Sequence, residues 1–261
     1  DITGLTALAS LKASGALAGA IVITDLAKAA EVYISAAIGN DLTINQINSA
    51  GASDTLTVDF GGSNYTTGGS IIAPNIETVT LKTSASGAKT ISGATFADAT
   101  NVTITATGSN LIISDFTATN ITALDASSSN KIVTITTGAD VFSSAFTFSG
   151  SSTNDRLDFD GATLVAGTVF DLGQGGQDTL TLNADAVASV VRTSATSSGN
   201  ALSIRDDATS ANTASFTSGS DTFDYNGSLS HDSVTSVVAA SGATLQAAVA
   251  TDADATVYVV Q

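Results

Sequence analysis

The feature that most constrains the fold is a succession of short runs in which Thr alternates with aliphatic residues, separated by clusters of Gly, Ser, Asn and Asp. From about residue 40 onward the run centres lie mostly about 10 to 25 residues apart, which is typical of short β-strands joined by turns. No long helical period interrupts them, so alternating β-α-β units are disfavoured. The pattern predicts strands at Leu42–Gln46, Thr55–Asp59, Ile76–Leu81, Asn101–Ala106, Ile121–Asp125, Lys131–Thr136, Phe146–Phe148, Arg156–Asp160, Val169–Leu172, Thr179–Leu182, Ala201–Arg205, Thr222–Tyr225 and Thr256–Val260.

Two all-β architectures fit this pattern: an elongated parallel β-solenoid and a tandem β-sandwich. Sandwich strands usually carry buried aromatic residues, including a core Trp in many families, and this chain has no Trp. Its inward positions are mostly small aliphatics, and identical β-branched or polar side chains stack well in successive coils of a solenoid. We therefore predict the solenoid, although the repeat is too degenerate to give a fixed period.

The N-terminal segment (1–40) differs from the rest because it is rich in Ala and Leu. Between Asp25 and Ala37 the apolar residues could form one face of a helix capped by Asp25, but Glu31–Ser35 also alternates like a strand. The sequence of Ala243–Ala250 indicates a short helix near the C-terminus. We divide the chain into this N-terminal segment, the Asp- and Thr-rich solenoid (41–225) and a C-terminal capping or secretion-signal-like segment (226–261).

Composition excludes several classes of function. The chain has 24 Asp and Glu against 8 Lys and Arg, a net charge of −16, so it lacks the basic surface of a nucleic-acid binder. It has no Cys and a single His, which excludes thiolate and histidine-ligated zinc sites. Hydrophobic residues make up 43%, which is too much for a disordered chain. The longest apolar stretch, Gly15–Ile23, is too short to span a membrane, and the absence of Met predicts a processed or excised piece.

One motif carries possible chemistry: an Asp that follows a small residue or Asn and precedes an apolar residue two places on. The best example is Gly173-Gln-Gly-Gly-Gln-Asp178-Thr-Leu-Thr181, which matches the calcium-binding nonapeptide of RTX proteins except at Gln174. Glycines allow a tight turn that exposes carbonyls, and Ca²⁺ takes six to eight oxygen ligands from carbonyls and carboxylates. The candidate Ca²⁺ ligands are Asp178, Gly173, Gly175, Gly176, Asp171, Asp155, Asp140, Asp221, Asp54 and Asp41.

The alternative for each of these residues is that Asp simply forms a turn, because its side chain bonds the backbone two residues on. We favour turn formation at sites such as Asp41 and Asp54, and Ca²⁺ ligation at Asp178. Carboxylates in stacked turns would repel each other by about 1 kcal/mol at 4 Å in water, and several-fold more at lower dielectric. A divalent cation would relieve that repulsion and link folding to ion binding.

The Asp-turn-strand pattern and the segment Asn75-Ile-Glu-Thr-Val-Thr-Leu81 resemble bacterial S-layer and RTX-type surface proteins. The stretch from Gly219-Ser-Asp-Thr-Phe-Asp-Tyr225 to Thr256-Val-Tyr-Val-Val260 resembles the C-terminal ends of proteins exported by type I secretion. The resemblance implies a secreted, Ca²⁺-stabilised solenoid that assembles with copies of itself into a lattice on the cell surface. An adhesin or a biofilm-matrix filament of the same fold is the alternative, and a cell-surface polysaccharide is a second expected partner.

A third interpretation is a β-helix polysaccharide-active enzyme. Asp158 and Asp160 could project from one face of a strand beside Arg156, with a separation near that of inverting glycosidases. A lyase would also need clustered basic residues, which are absent. His231 and Asp232 lack an accompanying G-x-S-x-G motif. We therefore expect a structural role and no catalysis.

Overall fold

In a computed structural model the chain winds into a parallel β-solenoid. The structure describes residues 4, 10–13, 19–47, 51, 53–62, 65–159, 161–165, 167–173 and 178–183. It also describes the backbone of seven later strands, at residues 188–191, 201–205, 212–216, 222–225, 234–239, 244–246 and 259–260. We call one circuit of the solenoid a coil.

The strands of successive coils stack into three parallel sheets. The twelve-stranded first sheet contains β1 (Ser10–Ala13), β3 (Glu31–Ile34), β5 (Thr55–Phe60), β8 (Thr78–Thr83), β11 (Asn101–Ala106), β14 (Ala123–Asp125), β16 (Thr147–Ser149), β18 (Thr168–Asp171), β20 (Ala188–Val191), β22 (Asn212–Phe216), β24 (Val234–Ala239) and β26 (Val259–Val260). The nine-stranded second sheet contains β6 (Tyr65–Thr66), β9 (Lys89–Ile91), β12 (Leu111–Ile113), β15 (Val133–Thr136), β17 (Arg156–Phe159), β19 (Thr179–Asn183), β21 (Ala201–Arg205), β23 (Thr222–Tyr225) and β25 (Thr244–Gln246). The five-stranded third sheet contains β2 (Ile21–Leu26), β4 (Leu42–Gln46), β7 (Ser70–Ile72), β10 (Gly93–Thr95) and β13 (Phe116–Thr117).

The strand register gives the length of a coil. Thr55 pairs with Thr78, Thr78 with Asn101, Asn101 with Ala123 and Ala123 with Thr147. The first two of these intervals are equal, the third is one position shorter and the fourth one position longer, so the coil length is nearly constant. Adjacent strands of a sheet lie about 4.8 Å apart, and this distance is therefore the rise per coil. Residues one coil apart in the sequence stack directly on one another.

Alternation along each strand places aliphatic side chains inside and Thr outside. In β11, for example, Val102 and Ile104 are buried whereas Thr103 is partly exposed. The inward residues form continuous columns through the solenoid, because the register repeats from coil to coil. One such column in the first sheet consists of Leu56, Val79, Val102, Leu124, Phe148 and Phe170.

The interior changes in character after residue 140, where phenylalanines replace much of the aliphatic core. The rings of Phe142, Phe146, Phe159 and Phe170 contact one another with centroid separations of 5.1 to 6.1 Å. Within the described residues the third sheet ends at β13, and only the bridge between Val141 and Thr163 continues that face. Large rings thus fill the interior where the third wall is reduced to a bridge.

The structure confirms the predicted all-β parallel solenoid, and the alternative of a tandem β-sandwich is wrong because the described strands pair in parallel. Of the two interpretations left open for Asp25–Ala37, the strand is confirmed and the helix is wrong, because this segment contains the end of β2 and all of β3. The described residues of Ala243–Ala250 form β25 and not the predicted helix. The described residues contain no helix. The boundaries at residues 40 and 225 stay predictions, and strands on both sides of each belong to the same sheets.

Candidate functional site

Two of the predicted calcium ligands, Asp155 and Asp178, lie in adjacent coils at the entry to the second sheet. Each directly precedes a strand, β17 and β19, and both are fully buried. The N–H of Asp155 donates to Oδ1 of Asp178 at 2.8 Å, and the N–H of Thr179 donates to the Asp155 carbonyl at 2.9 Å. These two hydrogen bonds join the turns that carry Asp155 and Asp178 in successive coils.

The Asp155 carboxylate accepts three hydrogen bonds. Its Oδ2 accepts the Ser151 N–H at 2.6 Å, and its Oδ1 accepts the Ser151 hydroxyl at 2.8 Å and the Val133 N–H at 3.2 Å. Asp155 thus closes its own turn and also caps the start of the strand one coil earlier. Burial raises the pKa of Asp155 from 3.8 to about 6, while the hydrogen bonds from Ser151 and Val133 act in the opposite direction.

We expect the free energy of unfolding to fall as the pH rises from about 4 to about 6. Because the pKa of Asp155 is higher in the folded chain, the native state binds the proton more tightly between about pH 4 and 6. The contribution is complete below about pH 4 and is lost as the pH rises through about 6, by roughly 2 to 3 kcal/mol. The measurement is urea unfolding from pH 4 to 7 in chelator, compared with Asp155→Asn. The variant is less stable overall, because an amide nitrogen cannot accept the Ser151 N–H, but its pH slope should be flatter. Equal slopes in the two chains would contradict the assignment.

The same inward column holds a cation three coils before Asp155. The register aligns Lys89 with Leu111 and Val133, and Asp155 follows. Lys89 is fully buried, and its ammonium donates to the carbonyls of the preceding turn, at 3.5 Å for Ala85, 3.0 Å for Ser86 and a shorter distance for Gly87. Burial lowers the pKa of Lys89, and Asp59 opposes this shift. Carbonyls of a turn on this column can therefore hold a positive charge.

The nonapeptide-like turn before Asp178 is described only in part. Gly173 has a φ of +74°, and a Cβ there would lie 2.5 Å from the Ser151 carbonyl oxygen, so the position requires glycine. Its N–H donates to Oδ1 of Asp171 at 3.0 Å. The other predicted ligands in this turn, Gly175 and Gly176, lie outside the described residues.

Asp171 lines a groove on the outer face of the first sheet. In this face Asp125, Ser149 and Asp171 stack in successive coils. The groove has a volume of about 490 Å³ and is otherwise lined by serine and glycine. Asp125 also accepts the Ser127 N–H at 2.9 Å, so it forms a local turn as Asp171 does.

Two further predicted ligands, Asp41 and Asp140, directly precede β4 and the Val141 bridge, on the side of the third sheet. Asp41 accepts the Ser70 N–H at 2.9 Å from the next coil. Asp140 accepts the Thr117 hydroxyl at 3.3 Å, and burial together with the nearby Asp115 raises its pKa. Asp221 lies outside the described residues.

Asp54, the last predicted ligand, is fully buried before β5 and forms an ion pair with Lys28. Its N–H donates to Oε2 of Glu77 at 2.8 Å. Glu77 stands one coil after Asp54 and was not predicted as a site residue. The interval of one coil between the two acidic residues is a signal for Glu77 only once the coil length is known.

Many acidic side chains thus share one role, since they cap backbone N–H groups of a neighbouring coil. Besides the pairs above, Asp98 accepts the Asn75 N–H at 2.9 Å and Asp59 accepts the Ser84 N–H at 3.1 Å. Within the described ranges, no three Asp, Glu or His side chains converge as a ready metal site. The acidic residues therefore act first as ties between coils, and ion binding would have to draw on carbonyl or amide oxygens as well.

The residues of the enzyme alternative are only partly described. Arg156 and Asp158 lie on the outer side of β17, next to Thr134 and Thr136 of the preceding coil. Asp160, His231 and Asp232 lie outside the described residues. In the part of the chain that the structure covers, no helix is long and apolar enough to cross a bilayer.

Comparison with known proteins found no matching family model, no similar curated protein and no similar solved structure.

Proposed function

We propose that this chain is a structural segment of a secreted surface protein that assembles with copies of itself into an S-layer, and that Ca²⁺ stabilises its acidic turns. In this proposal the protein leaves the cell by type I secretion and folds outside it. The observation that carries the calcium argument is the buried pair formed by Asp155 and Asp178 in adjacent coils.

The electrostatics of this pair favour a divalent cation. Above its raised pKa, Asp155 is ionised in the coil next to the buried Asp178, and repulsion between two buried carboxylates would exceed its value in water several-fold. Backbone carbonyls of the glycine-rich turn and the two carboxylates are the hard oxygen ligands that Ca²⁺ takes in flexible geometry. A bound ion would neutralise the pair and make the order of these coils depend on calcium.

The regular exterior supports a structural role. The outer columns of the first sheet carry short polar side chains, such as Thr57, Thr80 and Thr103, in register. Side chains of this kind lose little conformational entropy when another surface packs on them. Faces with a nearly fixed repeat suit ordered contacts between identical chains, and neutralisation of a net charge of −16 by Ca²⁺ would lower the repulsion between them.

The test is a Ca²⁺ titration of the chain after chelator treatment, followed by far-UV circular dichroism and light scattering, with Mg²⁺ as the ion control. We expect a Ca²⁺-specific gain of β signal together with growth into large ordered particles. Asp178→Asn should raise the Ca²⁺ concentration required, whereas Asp98→Asn, a tie on another corner, should leave it unchanged. A chain that is folded, monomeric and indifferent to chelator would contradict the proposal.

The groove between Asp125 and Asp171 favours a second candidate, an adhesin or matrix protein that binds a cell-surface polysaccharide. Its carboxylates and serine hydroxyls could accept and donate hydrogen bonds to sugar hydroxyls. We expect Asp125→Asn to weaken retention on immobilised glycans without affecting particle growth. Loss of particle growth in this variant would instead place this face in the lattice contact.

A further inference from the structure

At the corner between the third sheet and the first sheet, buried side-chain oxygen atoms lie without a hydrogen-bond donor. Gln46, the last residue of β4, is 4% exposed, and Asp54, which precedes β5, is 1% exposed. Glu77 precedes β8 one coil later, and Lys28 lies in the turn one coil earlier. Four residues from three successive coils therefore meet at this corner.

Only one of the two carboxylate oxygens of Asp54 has a positively charged partner. Its Oδ1 pairs with the Lys28 ammonium, whereas Oδ2 is buried and has no hydrogen-bond donor among the described residues. The Asp54 N–H donates to Oε2 of Glu77 at 2.8 Å, which brings a second carboxylate to the same point. With two carboxylates and one ammonium, the corner keeps a net charge of −1.

Gln46 adds a third kind of oxygen ligand. Its Nε2 donates to the carbonyl of Thr55 at 2.6 Å, and Thr55 directly follows Asp54. This bond fixes the amide at the corner and leaves its buried Oε1 without a donor in the described part of the chain. Because a buried acceptor without a donor destabilises the fold, these oxygens favour any ligand that can supply positive charge.

We propose that this corner is a Ca²⁺ site formed by Asp54, Glu77 and Gln46, and that Lys28 occupies it as an exchangeable counter-ion. A carboxylate oxygen, a second carboxylate and an amide oxygen are hard ligands that suit Ca²⁺, and water can complete its shell. Replacing the ammonium by Ca²⁺ brings the charge of the corner from −1 to 0. The Lys28 side chain is 46% exposed, so it can leave for solvent. The site rests on the proposed Ca²⁺-dependent function and extends it to the N-terminal coils.

The decisive variant is Lys28→Met, which removes the competing cation and keeps the length of the side chain. We expect its thermal unfolding in chelator to shift to lower temperature, because the buried Asp54 carboxylate loses its counter-ion. Ca²⁺ should restore stability, with an apparent affinity at this corner about tenfold higher than in the unmodified chain. Lys131→Met, which removes an exposed cation elsewhere, should leave the Ca²⁺ response unchanged.

Asp54→Asn provides a test that does not depend on the folding of Lys28→Met. Equilibrium dialysis should show one bound Ca²⁺ fewer in Asp54→Asn, and Asp178→Asn should retain that ion. An unchanged number of ions in Asp54→Asn, or equal Ca²⁺ responses in Lys28→Met and the Lys28→Met/Asp54→Asn double variant, would overturn this site. If Asp178→Asn alone abolished the Ca²⁺ response, the proposed function would stand without it. If only the Asp54 variants altered ion binding, this site would stand and the Asp155–Asp178 argument would fail.

Discussion

We expect Gly150→Ala to lower the free energy of unfolding by about 3 kcal/mol or more, because the new methyl group has no space between two coils. Gly150 is buried, and its N–H donates to the Asp171 carbonyl of the next coil at 2.7 Å. A Cβ at this position would lie 2.5 Å from both the carbonyl carbon and the carbonyl oxygen of Leu172. Since these are backbone atoms, no side-chain rotation can relieve the contact, and the coils must move apart.

Urea unfolding and amide hydrogen exchange would measure this effect. Protection should be lost first in β16 and β18, the paired strands that end directly before Gly150 and Leu172, because each coil of a solenoid depends mainly on its neighbours. Gly19→Ala is the matched control, since nothing lies within 4 Å of a Cβ there and its φ is not in the left-handed region. If both variants unfolded at the same urea concentration, the close approach of the coils at Gly150 would not be limiting.

The strands that sequence alone predicted well are those with clear alternation. Leu42–Gln46, Asn101–Ala106 and Ala201–Arg205 begin and end at the predicted residues. Short strands of the third sheet, such as Ser70–Ile72 and Gly93–Thr95, were missed. Such short strands cannot display a period, and they form only because the coils before and after supply both hydrogen-bonding partners.

The ambiguity between helix and strand near the N-terminus has a similar physical origin. Asp25–Ala37 has the Ala content and apolar spacing of an amphipathic helix, and Asp25 resembles a cap. In the fold Asp25 and Ala29 instead adopt positive φ angles of 58° and 60° around the corner between β2 and β3. Pairing of β3 with β1 and β5 outweighs the local helical preference.

The candidate sites also include residues that the sequence could identify and residues that only the fold shows. Asp155 and Asp178 could be found because each follows a recognisable turn motif. The corner at Asp54 could be predicted only in part, since its partners Lys28 and Glu77 lie one coil before it and one coil after it. Those intervals become meaningful once the coil length is known, and the varying loops hide that length in the sequence. Gln46 could not be predicted at all, because only the packing shows that its Oε1 is buried.

The largest effect that we expect is from Phe159→Ala, a loss of about 4 kcal/mol. Phe159 is fully buried at the end of β17, and its ring centroid lies 5.9 Å from that of Phe146 and 5.1 Å from that of Phe170. Truncation would remove its transfer free energy and leave a cavity where the third wall of the solenoid is only a bridge. Because the third wall supplies little backbone there, few residues could move in to fill the cavity left by the Phe159 ring.

Denaturant unfolding of three variants would separate this cavity effect from other consequences of mutation. Phe159→Leu retains most of the volume and should cost less than about 1.5 kcal/mol. Val141→Ala, at a side chain that is 65% exposed on the same wall, should stay within about 0.5 kcal/mol of the unmodified chain. A Phe159→Ala variant no less stable than Phe159→Leu would show that the interior collapses around the missing ring. In that case the reduced third wall would be compliant, and the phenylalanine cluster would not be what holds the coils after residue 140 together.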